Sequence, residues 1–125
     1  EYLDRGLYEQ AADLYEQALS PPFETEPSLM LALARARYGE GRHADVIAVL
    51  DRLREANPDY ASSDGHLLYA RSLAESGRLD RALSEYEYLA DYFPGEEARA
   101  RYALLLELLG RTEQARQVFQ KILDS

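Results

Sequence analysis

The chain has 125 residues, of which 46% are hydrophobic, and carries a net charge of −9. This is the size of one domain with enough apolar side chains for a continuous core, which excludes wholesale disorder. The acidic balance excludes a nucleic-acid binder and a protein held on anionic lipid, since both need clustered cations. The absence of cysteine excludes disulfide scaffolds, thiolate zinc sites and cysteine nucleophiles.

In chain order, the first expected element is an amphipathic helix over residues 7–19, opened by Gly6. Residues 20–27, Ser-Pro-Pro-Phe-Glu-Thr-Glu-Pro, read as a stiff extended connector, although such a stretch can also serve as a short PxxP-like ligand. A Leu- and Ala-rich helix over residues 29–38 follows and should stop at Gly41. Val46, Val49, Leu50 and Leu53 then recur at the three- and four-residue spacings of one helical face. Pro58 closes that unit, and Ser62, Ser63 and Asp64 can cap the next. Leu67, Ala70 and Leu73 precede Gly77, with Ala82, Leu83, Tyr86 and Leu89 after it. Beyond Pro94, Glu96 and Glu97 suit the positive end of a helix dipole. Tyr102, Leu105, Leu106 and Leu109 then lead to Gly110, and Ala115, Val118, Phe119 and Ile122 form the last apolar stripe.

Gly6, Gly41, Gly77 and Gly110 thus open four related segments, a recurrence of about 34 residues that marks stacked helical hairpins. Ala34, Ala70 and Ala103 recur midway along the first helices, and Ala11, Ala82 and Ala115 early in the second. Tyr15, Tyr86 and Phe119 stand four residues further on. Small residues let helix axes approach within about 8–10 Å, and the aromatics fill the space between hairpins. Tyr15, Tyr69, Tyr86 and Tyr102 are therefore expected in the core. On these residues the chain resembles the tetratricopeptide repeat (TPR) family over essentially its whole length. It departs at Val46 and Leu50, at Leu53, Leu89 and Ile122, and in lacking tryptophan.

The resemblance implies an all-α fold, a right-handed α-solenoid of about three and a half repeats and seven helices. The expected organisation is one domain, with a truncated repeat over residues 1–26 and repeats over 27–62, 63–95 and 96–125. It also implies a bacterial-type protein that presents a concave groove, lined by the first helices, to a protein or peptide partner. Carried over by slot, the groove residues are Leu31, Arg35, Tyr38, Leu67, Arg71, Arg101 and Leu104, with Leu31, Leu67 and Leu104 as apolar contacts. Arg35 and Arg71 share a slot in consecutive repeats and could grip a carboxylate. Arg71 has Glu75 one turn on, and Glu97 precedes Arg101 by four, so both can be neutralised within their helices. Arg35 has no such carboxylate and has Tyr38 within a turn for a cation–π contact, which makes it the preferred ligand-binding residue. The Lys, Arg and Asn clamp with which some family members hold chaperone tails is missing.

No catalytic constellation, metal set or cofactor motif is expected. His43 and His66 lack metal-ligand spacing, and the glycines are isolated turn residues rather than a phosphate loop. Two further roles are open. Uncovered apolar faces on the 7–19 helix and on the last helix (Val118, Phe119, Ile122, Leu123) would favour homo-oligomers through the solenoid ends. Regulation in cis of a membrane-anchored parent would fit a chain that starts at Glu1, inside a repeat. No segment here is expected to insert in a membrane. The cytoplasm is the favoured compartment, with tethering through a segment ahead of Glu1.

Overall fold

The computed structural model describes residues 2–124, with side chains from residue 5 onward. Among the described residues the chain forms seven helices: α1 (Tyr2–Ala18), α2 (Pro27–Gly39), α3 (His43–Ala56), α4 (Ser63–Glu75), α5 (Leu79–Tyr92), α6 (Glu97–Leu108) and α7 (Thr112–Leu123). Each packs on its neighbour in sequence, and α2 also reaches α4. The result is an all-α solenoid of three helical hairpins preceded by α1.

The hairpin turns are one device used three times. Gly41, Gly77 and Gly110 adopt φ of +80°, +79° and +79°, the left-handed region open to a residue without Cβ. At the first turn the Gly41 N–H donates to the Tyr38 carbonyl (2.9 Å) and the Arg42 N–H to the Arg37 carbonyl (2.9 Å). Gly77 with Arg78, and Gly110 with Arg111, repeat this pattern, the Schellman closure that satisfies carbonyls at a helix end. Gly6 is a correction to the sequence reading. It lies inside α1, which runs on through it, and is not among the glycines with positive φ. Segment similarity alone placed a turn there; without the closure hydrogen bonds the helix continues.

Punctuation between hairpins is partly as the sequence indicates. Ser62 Oγ accepts from Gly65 N–H at 3.0 Å, capping α4. Glu26 caps α2 through Ser28 N–H, with Pro27 in the first turn. Glu96 makes no cap; its carboxylate pairs instead with Arg99 at 2.9 Å.

The core runs the length of the stack. Ala34, Ala70, Ala103 and Ala82 are fully buried, as is Val46, which stands where other repeats carry alanine. In α1 the fully buried small residue is Ala12, one position past Ala11. Tyr69, Tyr86 and Tyr102 are buried and Tyr15 is half-buried.

α1 docks through two features. Arg37, only 7% exposed, holds Glu40 and the α1 residue Glu16, each at 3.0 Å. Burial opposes the Arg37 charge, but the hydrogen bonds to Glu40 and Glu16 outweigh it and raise the guanidinium pKa. Next to this network, a Cβ at Gly39 would overlap the Tyr8 ring, so the glycine lets α1 close on the end of α2.

Candidate functional site

The first helices α2, α4 and α6 carry the residues assigned to a groove, and the structure divides them. Leu31 and Leu67 are 7% and 6% exposed and belong to the core, which corrects their assignment as ligand contacts. Their slot faces the neighbouring helix, where burying an apolar side chain is worth about 1.5–3 kcal/mol. Leu104 occupies the equivalent slot on α6 and is 57% exposed; Leu108, one turn on, is 73% exposed.

The arginines differ as well. Arg35 is exposed and lies 4.0 Å from Asp64 of α4, a loose surface pair. It does not make the cation–π contact expected of it: the guanidinium over the Tyr38 ring is that of Arg71, at 4.8 Å from the ring centre. Glu75 pairs with His43 at 3.9 Å rather than with Arg71. The Arg71 Nε is shielded from solvent and has no hydrogen-bond partner among the described residues. Arg101 is held by Glu97 at 3.0 Å, as its i, i+4 spacing implies.

Arg71, Arg101 and Leu104 come together on a cavity of about 190 Å³ between α4 and α6, with Glu75, Tyr86 and Leu108. Tyr86 reaches it from α5, and burial pushes its phenol up to about 12, against the pull of the Arg101 and Arg71 charges. The site thus joins two guanidinium groups, the Glu75 carboxylate, a protonated phenol and two exposed leucines. Arg35 is not among the residues that line it, and Tyr38 is connected only through Arg71. Sequence reasoning missed Tyr86, whose slot spoke for the core, and Leu108, which the apolar stripe of α6 gave no reason to place outside.

No group of three or more His, Cys, Asp or Glu positioned for a metal ion occurs among the described residues. No described helix is long and apolar enough to cross a membrane.

Comparison with known proteins decides the family. Two tetratricopeptide repeat models match, one over residues 2–72 and the other over residues 67–125. The chain belongs to the tetratricopeptide repeat family. This TPR chain also superposes on the crystal structure of YrrB, described as a TPR protein with an unusual peptide-binding site, with a TM-score of 0.79 and 22% identity. The match covers 98% of this chain and 62% of that one, so the segment spans under two thirds of the YrrB chain. No curated protein sequence matched. The TPR fold is a non-catalytic interaction fold, and its hairpins here form a protein-interaction module.

Proposed function

We propose that this TPR segment holds a peptide or a helix of a partner protein in the groove along α2, α4 and α6, with the contact centred between α4 and α6. A ligand carboxylate sits between Arg71 and Arg101, and an apolar side chain rests on Leu104 and Leu108. The observation that carries this reading is the convergence of Arg71 and Arg101 with the exposed Leu104 and Leu108 on one cavity. The peptide-binding site described for YrrB supports the same use of the fold. The role is binding without catalysis, and no cofactor enters it.

The test is capture from lysate of the source cells with the wild-type domain and with Arg71→Glu/Arg101→Glu as paired baits. A partner retained by the first and lost from the second supports the groove. One retained equally by both moves the contact elsewhere.

Self-assembly through the solenoid ends is the second reading, favoured by Leu7 (62% exposed), Leu14 (64%) and Leu123 (77%). These faces would bury apolar area against another copy. Light scattering on the wild type and on Leu14→Glu tests it, and a single monomer mass at every concentration rejects it.

A further inference from the structure

A larger cavity, of about 450 Å³, opens on the opposite side of α4. Its α4 residues are Gly65, His66 and Tyr69, whereas Arg71, Ala74 and Glu75 face the α4–α6 cavity. At 3.6 residues per turn these two sets point in opposite directions. Residues of α3, of the α3–α4 connector and of α5 complete the walls. The volume is within the range of about 300–1,000 Å³ usual for ligand pockets.

The lining is aromatic and prearranged. His66, Tyr88 and Tyr92 form a cluster with ring centres 5.2–5.7 Å apart, Tyr88 and Tyr92 meeting edge to face. His66 is fixed at both nitrogens, Nδ1 by the Tyr92 hydroxyl and Nε2 by the Glu85 carboxylate. A ring with its proton on Nε2 satisfies both, with Nε2–H donating and Nδ1 accepting. The His66 hydrogen bond also holds the Glu85 carboxyl below the usual carboxylate range, so that charge is already engaged. Tyr60 and Tyr88, 39% and 66% exposed, stand open at the mouth. The cation is placed differently. Arg54 lies 4.9 Å from the centre of the Tyr69 ring and has no carboxylate within 4.0 Å among the described residues. Arg54 is thus the cation of this cavity without a close carboxylate, while the one carboxylate of the lining, Glu85, is occupied by the His66 N–H.

We infer that the cavity between α3, α4 and α5 is a second binding site, for an extended proline-containing segment of a partner protein that also carries a carboxylate. Proline rings stack on tyrosine faces, and a segment already in the polyproline conformation loses little entropy on docking. Tyrosine hydroxyls at the mouth donate to its backbone carbonyls, and Arg54 takes the carboxylate. Two faces of one helix then serve two ligands, one on the α4–α6 groove and one here.

The experiment is to pan a random heptapeptide display library on the wild-type domain. The peptides selected are then measured by fluorescence anisotropy against Tyr88→Ala, Arg54→Ser and Arg71→Glu/Arg101→Glu, with thermal melts confirming that each variant folds. The expected result is enrichment of proline together with Asp or Glu. Affinity should fall about tenfold in Tyr88→Ala and in Arg54→Ser and stay unchanged in the groove variant. Selected peptides lacking proline or an acidic residue overturn the inference. So does binding lost only in the groove variant, a result that leaves the groove reading standing, or binding indifferent to Tyr88 and Arg54. If display instead yields nothing and the domain self-associates through this face, with Tyr88→Ala restoring the monomer, a second copy is the occupant and the inference fails.

Discussion

The two ends of the stack use the same hairpin differently. At the front, α2 is buried on almost every side, and Arg37 holds Glu40 and the α1 residue Glu16 on the side that α1 covers. At the back, α6 leaves Leu104 and Leu108 open, and the arginines beside them are half-buried and face a cavity. A repeat thus fixes where a side chain points, while its neighbours decide whether that direction ends in core or in solvent. α2 is covered by α1, α3 and α4; α6 packs against α5 and α7. The front is built for cohesion, and the back has surface to offer.

The largest expected effect breaks the front. Arg37→Ala leaves the Glu40 carboxylate, whose side chain is 8% exposed, without its closest cation. Stranding one partner of a buried pair costs about 3 kcal/mol, less what Arg42, 3.8 Å from the same carboxylate, retains. Urea unfolding should show that loss, whereas Arg101→Ala, which breaks a half-exposed pair at the back, should cost under about 1 kcal/mol. Equal costs for the two would remove the contrast.

The next effect lies where front and back meet. The folded pKa of Tyr86 is raised from 10.0 to about 12, chiefly by burial. A raised pKa means that the contribution to stability is fully present below the unfolded value and is lost as pH rises through the folded one. Between about pH 10 and 12 the domain should therefore lose on the order of 2 kcal/mol from this residue alone. Tyr86→Phe should flatten that part of the curve. It will not abolish the slope, because burial also raises the phenols of Tyr69, Tyr92 and Tyr102.

Legibility in the sequence followed the same division. Features produced by one segment alone could be read: the Gly41, Gly77 and Gly110 turns, the Ser62 cap, and the Glu97–Arg101 pair one turn apart. Features needing two elements could not. Nothing in the local pattern says that Arg71 rather than Arg35 covers Tyr38, because the ring comes from the preceding hairpin. The same holds for Leu31, whose slot matches the exposed Leu104 but is covered by its neighbours. Segment similarity misled outright at Gly6, where the likeness to the other three extends to residue type but not to backbone hydrogen bonding.

Gly39 gives a smaller effect that sharpens the account of the front. Gly39→Ala should cost about 1 kcal/mol, since the Tyr8 ring must move to admit a methyl group. Tyr8→Ala removes the overlap, so the double mutant should be more stable than the sum of the single changes implies. Additive costs would mean that the ring and the glycine do not meet in solution.

The smallest effect on stability is expected at the back and is the most informative about function. Leu104→Ser and Leu108→Ser alter side chains already in solvent, so each should change the unfolding free energy by no more than about 0.5 kcal/mol. Leu104 and Leu108 stand one turn apart on the rim of the same cavity, and a joined apolar patch of this kind, unlike a single exposed leucine, marks an interaction surface. If the partner rests on this patch, the double variant should keep its melting temperature and lose retention of whatever the wild-type bait captures. A variant that melts early would instead place these leucines in the core budget of α6 and leave the groove without its apolar floor.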